Sequence, residues 1–370
     1  MRDEAIGRGI NKSVRTELRD FQMLKKLLGC VSAMLLAVSP TLAQNYRQNI
    51  TIAETWLQNQ IMPDGAILDA SSHVTPYFAN LAAIGMLKGD RARIPQVEAW
   101  IAWYINHFNW PDSNGIYGTV YNYRLYGMAE TATGEYDSAD AYAATFLSLT
   151  WALWQTGDPG AQAFIKSLGE YAFNVVGNII TNLQQSNGLV YAKPDYPIAF
   201  TMNNSEDYRG LMDLADLMVA AWGDTNGSEW YIAHATQLQN GIQTALYDSH
   251  LKLYYTYAGA VAPNLGTWYP DSVAQLFPIT NGVIAAASGQ AKSIYSQFNR
   301  AWPAWDRLSF NSQDPFPWAV VSYAAVLMGD APRAKTYITT IEDKYQAVGF
   351  PWPWFCAEAG WYIRANAFMK

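Results

Sequence analysis

The sequence predicts an all-α fold, an (α/α)6 barrel in which six outer helices wrap six inner ones. Three observations lead to this prediction. Glycine recurs just after apolar helical segments, at spacings of 68, 66, 66 and 40 residues. Amphipathic and apolar segments alternate in six pairs along the chain, as they do in repeat architectures. The last apolar segment ends the chain without a polar capping helix, which favours a closed ring over an open helical solenoid.

We expect residues 1–43 to be an N-terminal extension and a signal peptide, Met23–Ala43. Two lysines precede an apolar run over 27–38, which is too short to span a membrane. Small residues just before Gln44 suit cleavage at that position. The sequence therefore predicts a secreted or periplasmic protein with a single domain over 44–370.

The composition excludes several classes of function. Seven of the 24 basic and four of the 31 acidic residues precede Gln44, which leaves 17 against 27 and a net charge of −10. Nucleic acid and anionic membranes are poor partners for such a surface. Cys356 is then the one remaining cysteine, the four histidines lack metal-ligand spacing, and no Gly-rich phosphate loop follows a strand. We expect no cofactor and no metal, and a monomer.

The two classes of helix differ in the surface that they bury. A helix that is apolar on all sides needs neighbours all round and belongs to the inner ring, whereas an amphipathic helix needs them on one face. The predicted inner helices are 76–88, 139–156, 206–222, 272–288, 316–328 and 353–368. The predicted outer helices are 50–61, 95–108, 160–182, 228–246, 291–301 and 331–346.

The recurring glycines predict tight turns. Glycine just past a helix end takes the left-handed conformation that caps the helix. We expect Gly89, Gly157, Gly223, Gly289 and Gly329 to act in this way at one end of the ring.

The long connections fall at the opposite end, where each outer helix leads to the next inner one. They are 109–137, 183–204, 247–271 and 302–315. The alternating pattern of 114–123 and of 253–257 predicts β-hairpin inserts there. Long loops on one face of a rigid scaffold are where function usually resides.

Carboxylates cluster at the starts of the predicted inner helices, towards that loop-rich end. Because helix N-termini in a ring point at one mouth, acids that are distant in sequence would converge there. Our catalytic candidates are Asp140, Glu206, Asp137 and Asp271. Each alone is also explained as a helix cap or as an acid that complements the helix dipole. We expect Asp140 and Glu206 to face each other across one pocket.

Aromatic residues are abundant in the same connections. Their flat faces suit the C–H faces of sugar rings, while carboxylates and amides bind hydroxyl groups. Core packing is the alternative explanation for each of them. The candidate substrate-binding residues are His73, Tyr121, Asp207, Tyr208, Trp268, Tyr269, Trp318, Trp354 and Glu358.

Six helical hairpins with acids on one rim resemble the six-hairpin glycosidases. The segment 137–144, Asp-Ser-Ala-Asp-Ala-Tyr-Ala-Ala, is similar to the Ser-Asp-Ala-Asp-x-x-Ile-Ala signature of glycoside hydrolase family eight, with its first two residues exchanged. In that family the second Asp, which matches Asp140, lies at the cleaved sugar. The family's acid, a Glu at the start of the first inner helix, has no counterpart in 72–77. Unsaturated-glucuronyl hydrolases share the ring and use a rim Asp without that Glu, so the resemblance implies the superfamily fold.

The sequence thus predicts a secreted glycoside hydrolase that cleaves a poly- or oligosaccharide by carboxylate acid–base chemistry. The sugar, the linkage and the identity of acid and base stay open. One alternative is a polysaccharide lyase in which Tyr208 or His73 acts with Arg209 on a uronate. Another is a toroid that binds glycans without catalysis. Release of reducing sugar and absorbance of an unsaturated product distinguish the first two.

Overall fold

The computed structural model describes residues 40–370 except Ser71 and Met128. Most of the predicted signal peptide, Met23–Ala43, lies outside the described residues. Tyr46–Lys370 forms one compact unit. Within the described part of the chain, the structure contains no helix that combines the length and apolar character needed to cross a membrane.

The described elements are mostly helices that alternate between an inner and an outer ring. The inner helices are α2 Pro76–Met86, α4 Ala139–Trp154, α7 Thr201–Leu217, α9 Phe277–Thr280, α11 Ala319–Leu327 and α13 Cys356–Met369. The outer helices are α1 Pro40–Gln58, α3 Ile94–Asn106, α5 Pro159–Leu168, α6 Glu170–Leu183, α8 Thr225–Gly241, α10 Gly289–Ala301 and α12 Ala331–Lys344.

The inner helices form a closed ring. Each contacts the next in chain order, and α13 returns to contact α2. At that junction Gly85 faces Gly360, whose Cα lies 2.4 Å from the position that a Cβ on Gly85 would occupy. Two helix backbones approach this closely only where neither carries a side chain. The predicted (α/α)6 barrel is confirmed, and it is a closed ring and not an open solenoid.

Burial follows the predicted division between the two rings. In α4, 12 of 16 residues are buried, among them Phe146 at 0 % exposure. Truncating such a side chain to Ala typically costs about 3–5 kcal/mol. The outer helix α10 buries one face, which carries Ala291, Ile294, Tyr295 and Phe298 at helical spacing. The inner ring is therefore held by packing on all sides.

The fourth inner helix is much shorter than the predicted 272–288. The segment Trp268–Ser272 precedes it and is kinked at Tyr269, which is extended at φ −119° and ψ 134°, and α9 then covers only Phe277–Thr280. Pro278 has no N–H to donate within a helix and restricts the residue before it, so it is tolerated only in the first turn. The helical periodicity did not reveal this interruption.

The third inner helix begins at Thr201, five residues before the predicted start. The Thr201 hydroxyl donates to the backbone oxygen of Tyr255. The Asn204 amide group accepts from the backbone N–H of Val190 (2.8 Å) and donates to its carbonyl (2.9 Å). Neighbouring loops thus fix the helix start. Glu206 consequently lies in the second helical turn, deeper in the barrel than a residue at the helix start.

The glycine caps are only partly as predicted. Gly157, Gly223 and Gly329 are left-handed, with φ of 68°, 72° and 76°. Gly89 is not; a Cβ there would meet Glu54, whose Oε1 accepts from the backbone N–H of Asp90. The predicted cap at Gly289 is wrong, because this residue opens α10.

Two other breaks interrupt the predicted pattern. The outer segment 160–182 is two helices, because Gly169, at φ 79° and ψ 143°, lies between α5 and α6. The first predicted hairpin, 114–123, is mostly an irregular loop. The carboxylate of Asp112 organises it by accepting from the backbone N–H groups of Asn114 and Ile116, both at 2.8 Å.

The β-hairpins lie on the long connections. Strands β1 His73–Val74, β2 Tyr123–Tyr126 and β3 Ala129–Ala132 form one antiparallel sheet in the order β1-β2-β3. In a second pair, β4 Tyr247–Asp248 and β5 Leu253–Tyr254, Tyr247 faces Tyr254. This second hairpin includes the start of the segment 253–257, as predicted.

Candidate active site

A cavity of about 600 Å³ opens where the N-terminal ends of the inner helices meet, and we call it the mouth cavity. Residues at or near the starts of all six inner helices line it. Its carboxyl groups are Asp69, Asp137, Glu206, Asp314 and Glu358. Its aromatic residues are Tyr77, Phe78, Tyr142, Tyr269, Phe277, Phe316, Trp318, Trp352, Phe355 and Trp361. The N-terminal ends of the inner helices therefore bring together acids that are distant in sequence.

Glu206 lies in the wall of this cavity at 4 % exposure. The hydroxyl of Tyr77 donates a hydrogen bond of 2.7 Å to its Oε1. Burial raises the pKa of Glu206 to about 8; the Tyr77 hydrogen bond lowers this pKa, and the charge of Asp140 raises it. Glu206 is therefore mostly protonated at neutral pH, and among the described residues no hydrogen-bond donor occupies its second oxygen, which leaves that oxygen available to a ligand.

Glu358 is held by the backbone at the start of α11. The N–H of Trp318 donates to its Oε1 at 3.1 Å, and the N–H of Ala319 donates to its Oε2 at 2.6 Å. Burial raises the pKa of Glu358 to about 7, and these two hydrogen bonds lower it. Both oxygens are thus fixed in position, and the carboxylate form is stabilised by the helix N-terminus.

Trp318 joins this carboxylate to the aromatic wall. It is left-handed, with φ 54° and ψ 55°, a conformation that costs a non-glycine residue free energy and occurs most often at functional sites. Its indole ring stacks on the phenol of Tyr269, with ring centroids 4.8 Å apart. The backbone of Trp318 therefore binds Glu358 while its side chain lines the cavity.

Asp140, the expected partner of Glu206, lies behind the cavity wall. It is 0 % exposed and accepts hydrogen bonds from the N–H of Ala141 (2.7 Å) and from Nδ2 of Asn203 (3.1 Å). Asn203 lines the mouth cavity, whereas Asp140 does not. Burial raises the pKa of Asp140 to about 7. Its contact with the cavity passes through the Asn203 amide.

Asp207 and Asp140 form a buried carboxyl pair. Asp207 is also 0 % exposed, and among the described residues no N–H or hydroxyl group donates to either of its oxygens. Burial and the charges of Asp140 and Glu206 raise the pKa of Asp207 well above its ordinary value. Two adjacent carboxyls in this setting hold a proton, and their interaction lowers the pKa of Asp140 and raises that of Asp207, so the proton is favoured on Asp207. Asp207 thus contacts Asp140 and does not line the cavity.

The two other catalytic candidates occupy different places. Asp137 is exposed at the edge of the mouth cavity, where its charge raises the pKa of both Tyr142 and Tyr269. Asp271 accepts a hydrogen bond of 2.8 Å from the hydroxyl of Thr256 and does not line the cavity. Asp137 can therefore touch a ligand directly, whereas Asp271 secures a loop.

The aromatic candidates divide in the same way. Tyr269 and Trp318 line the cavity, but Trp268 and Trp354 are fully buried in the core. Trp268 stacks on Phe310 with centroids 3.7 Å apart, and Trp354 stacks on Phe350 at 4.6 Å. For these two indoles, core packing explains the position.

The remaining substrate-binding candidates lie outside the cavity wall. Tyr121 accepts from the N–H of Ser113 at 2.8 Å, and His73 pairs with Arg124 in the small sheet. Tyr208 packs against the hydrophobic core. Of the predicted substrate-binding residues, Tyr269, Trp318 and Glu358 are thus the ones that line the cavity.

Asp69, Tyr77 and Asn203 are among the lining residues that were not candidates in the sequence. Tyr77 is the second residue of α2. A polar group in the first turn of an apolar helix is the sequence feature that could have identified it as a site residue. Asn203 lay in the predicted connection 183–204, where it resembled an ordinary helix-cap residue. Among the described residues, no group of three or more His, Cys, Asp or Glu side chains is arranged to hold a metal ion.

No protein-family model matches this chain, and no curated protein does. Solved structures do match. A wild-type glycosidase has a TM-score of 0.63 at 9 % identity, over 90 % of this chain and 99 % of that one. A GH63 mannosylglycerate hydrolase from Thermus thermophilus, in complex with glucose, has a TM-score of 0.61 at 13 % identity, over 87 % of this chain and 99 % of that one. A rhamnosidase from Klebsiella oxytoca with rhamnose bound has a TM-score of 0.57 at 14 % identity, over 90 % of this chain and 64 % of that one. The chain has the toroid fold of these glycosidases.

Proposed function

We propose that this protein is a glycoside hydrolase that cleaves a sugar linkage in the mouth cavity. The observation that carries the proposal is the presence of two buried carboxyls, Glu206 and Glu358, in the wall of a cavity that is also lined with aromatic rings. Glycosidic cleavage needs one carboxyl that donates a proton and a second that acts as a carboxylate. The similarity of the fold to solved glycosidases supports the same reaction class.

Glu206 is the proposed proton donor. Its pKa of about 8 keeps the proton on at neutral pH, as protonation of a leaving oxygen requires. The single hydrogen bond from Tyr77 reaches Oε1 and orients the carboxyl group. Oε2 is then the oxygen that carries the proton to the substrate.

Glu358 is the proposed carboxylate partner. The N–H groups of Trp318 and Ala319 hold it in one orientation and stabilise its negative charge. With a pKa of about 7, a large fraction of it is ionised at neutral pH. It would act on a water molecule or on the anomeric carbon, depending on its separation from Glu206 across the bound sugar. This pair replaces the pair expected from the sequence, because Asp140 does not line the cavity.

The stacked rings of Tyr269 and Trp318 are the proposed platform for a sugar ring, and exposed Asp137 is positioned to bind hydroxyl groups at the edge. Among the described residues, no Arg, Lys or His lines the mouth cavity. An anionic uronate would find no cation there, so the lyase alternative is disfavoured. The proposed substrate is a neutral sugar of oligosaccharide size or smaller, as the ligands of the solved neighbours suggest. Export through the segment 23–43 is part of the proposal.

A panel of neutral oligosaccharides and glycosides tests this function, with released sugar measured by chromatography. We expect Glu206→Gln and Glu358→Gln each to lower kcat by about 100-fold or more while the protein stays folded. Glu229→Gln, an exposed change on outer helix α8, is the matched control and should leave kcat unchanged.

Three results would contradict the proposal. Full activity in both variants would remove these carboxyls from the reaction. Absence of hydrolysis over the whole panel, with sugar binding retained in calorimetry, would identify the chain as a glycan-binding toroid. Formation of an unsaturated product instead of released hydrolysis product would establish the lyase.

A further inference from the structure

A second cavity, of about 360 Å³, lies at the opposite end of the barrel, and we call it the far cavity. Lys88 and Gln155, just after α2 and α4, line it together with Leu327, the last residue of α11. It is therefore formed by the C-terminal ends of inner helices. Lys88 and Gln155 are exposed, so the far cavity opens to solvent. The proposed hydrolysis makes no use of this space.

The far cavity is rich in positive charge, in contrast to the mouth cavity. Three cations line it: Lys88, Arg209 and Arg364. The acids in its wall are Asp213 and Glu206, of which Glu206 is mostly protonated below a pKa of about 8. At neutral pH the wall thus carries about two more positive charges than negative ones. This local excess of positive charge contrasts with the net charge of −7 of the whole chain.

The two arginines are not equivalent. Arg209 makes a two-pronged ion pair with Asp213, with Nε 2.8 Å from Oδ2, so its charge is already compensated. Arg364 forms no ion pair with any carboxylate of the described chain, and its buried Nε has no hydrogen-bond partner there. A guanidinium carries five N–H donors and has no other way to satisfy them than with acceptors. Arg364 is therefore the arginine of this site whose charge no carboxylate of the described residues compensates.

Aromatic rings hold Arg364 in place. Its guanidinium carbon lies 3.8 Å from the ring centroid of Trp361 and 4.2 Å from that of Tyr323. Such stacking orders the guanidinium through its two faces, and Nε stays without a hydrogen-bond partner among the described residues. The charge of Arg364 and its hydrogen bond lower the pKa of the half-buried Tyr323 phenol although burial acts in the opposite direction, and the charges of Lys88 and Arg209 lower this pKa further. The phenol therefore experiences the positive potential of all three cations.

We propose that the far cavity is a binding site for a small anion of about the size of one sugar ring, held through a carboxylate or phosphate group by Arg364, with Lys88 at the entrance. Its volume lies in the range of small-ligand pockets. Trp151, Trp361 and Tyr323 provide apolar wall for the body of the ligand. Within the described part of the chain no cation lines the mouth cavity, so an anion should select the far cavity.

This site adjoins the proposed catalytic acid. Glu206 lines both cavities, and the charge of Arg364 lowers its pKa. An anion bound to Arg364 would offset that charge and raise the pKa of Glu206. This consequence rests on the proposed function, whereas anion binding does not.

Titration calorimetry on the full chain tests binding without any hydrolysis, with glucuronate, glucose 6-phosphate, inorganic phosphate and glucose as separate probes. We expect the two sugar anions to bind, inorganic phosphate to bind more weakly, and affinity to fall as salt screens the charges. Glucose should show no binding that depends on Arg364. Preference for glucuronate or for glucose 6-phosphate tells whether the anionic group is a carboxylate or a phosphate.

Variants assign the binding to the far cavity. Arg364→Met keeps an unbranched apolar side chain between the two rings and should weaken anion binding at least tenfold. Lys88→Gln, an exposed change, should weaken it about two- to threefold. Asp213→Asn removes the competing carboxylate and should strengthen it. Arg300→Met on outer helix α10 is the matched control, and Glu358→Gln should leave anion binding unchanged.

The proposal is overturned if none of the anions binds, or if binding is the same in Arg364→Met as in the unchanged protein. An equal loss in Arg300→Met would also overturn it, because the binding would then depend only on overall charge. If Arg364→Met does not fold, the opposite effects expected from Lys88→Gln and Asp213→Asn still decide the question. Anion binding with no hydrolase activity would refute the proposed function alone.

Discussion

The hydroxyl of Tyr77 on α2 donates a 2.7 Å hydrogen bond to Glu206 on α7, across the inside of the ring. The two residues are 129 positions apart in the chain, and the packing of α2, α4 and α7 side by side in the inner ring brings them together. The hydrogen bond stabilises the ionised form of Glu206 and so lowers the pKa that burial raises. It therefore controls how far the proposed acid stays protonated above neutral pH.

The first prediction concerns this hydrogen bond. Tyr77→Phe removes the donor and keeps the ring, so the pKa of Glu206 should rise. A hydrogen bond to a charged group contributes about 1.5 kcal/mol or more, which corresponds to about one pH unit. The alkaline limb of the kcat/KM profile should move up by that amount. Tyr171→Phe, an exposed change on α6, is the control. An alkaline limb that stays in place or moves down would contradict the assignment of Glu206 as the acid.

The second prediction is a narrow bell-shaped pH profile. Activity requires a protonated Glu206, which is lost above a pKa of about 8, and an ionised Glu358, which is lost below a pKa of about 7. The acid limb of kcat/KM should therefore lie near pH 7 and the alkaline limb near pH 8. Initial rates on the best substrate of the panel, measured from pH 5 to 10, give both limbs. A profile that stays flat from pH 5 to 9 would exclude this pair.

The sequence was sufficient to predict the ring, but it predicted the site only in part. Helical periodicity reports which face of a segment is buried, and this decides the architecture. It does not report depth along the barrel axis. Asp140 and Glu206 both occur near the starts of inner helices, yet Glu206 reaches the cavity and Asp140 does not. The difference arises because α7 starts at Thr201, through loop contacts that are distant in sequence.

The aromatic residues illustrate the same limit. In the structure Trp268 and Trp318 both lie ahead of inner helices, Trp268 before α9 and Trp318 immediately before α11. Trp268 turns into the core and stacks on Phe310, whereas Trp318 turns to the cavity because its backbone is left-handed. A left-handed tryptophan has no sequence signature. Tertiary contacts therefore decide which indole can meet a substrate.

The third prediction uses this contrast. Trp318→Ala removes one ring of the platform and should raise KM by about 10-fold or more, since stacking on one aromatic face contributes up to about 1.5 kcal/mol beyond burial. Trp268→Ala leaves the platform intact but empties a core position, and should lower the free energy of unfolding by about 3–5 kcal/mol. Urea denaturation and steady-state kinetics on both variants test the pair. If Trp268→Ala raised KM and kept its stability, this assignment of the two residues would be reversed.

The last prediction concerns the buried pair Asp140 and Asp207, which the proposed reaction does not contact. Burial raises the pKa of Asp140 from 3.8 to about 7, so between these values the folded protein holds a proton that the unfolded chain has released. The free energy of unfolding must then fall as pH rises through this window, by up to about 1.4 kcal/mol per pH unit for one proton. Asp140→Asn removes this proton and should reduce the decline between pH 4 and 7 by that amount. Urea denaturation at a series of pH values gives the slope, and Asp343→Asn, an exposed change on α12, is the control. A slope in Asp140→Asn equal to that of the unchanged protein would show that Asp140 is already ionised when buried.

Because the Asn203 amide still lines the cavity, kcat should fall far less in Asp140→Asn than in Glu206→Gln, and an equal loss would return Asp140 to the catalytic pair.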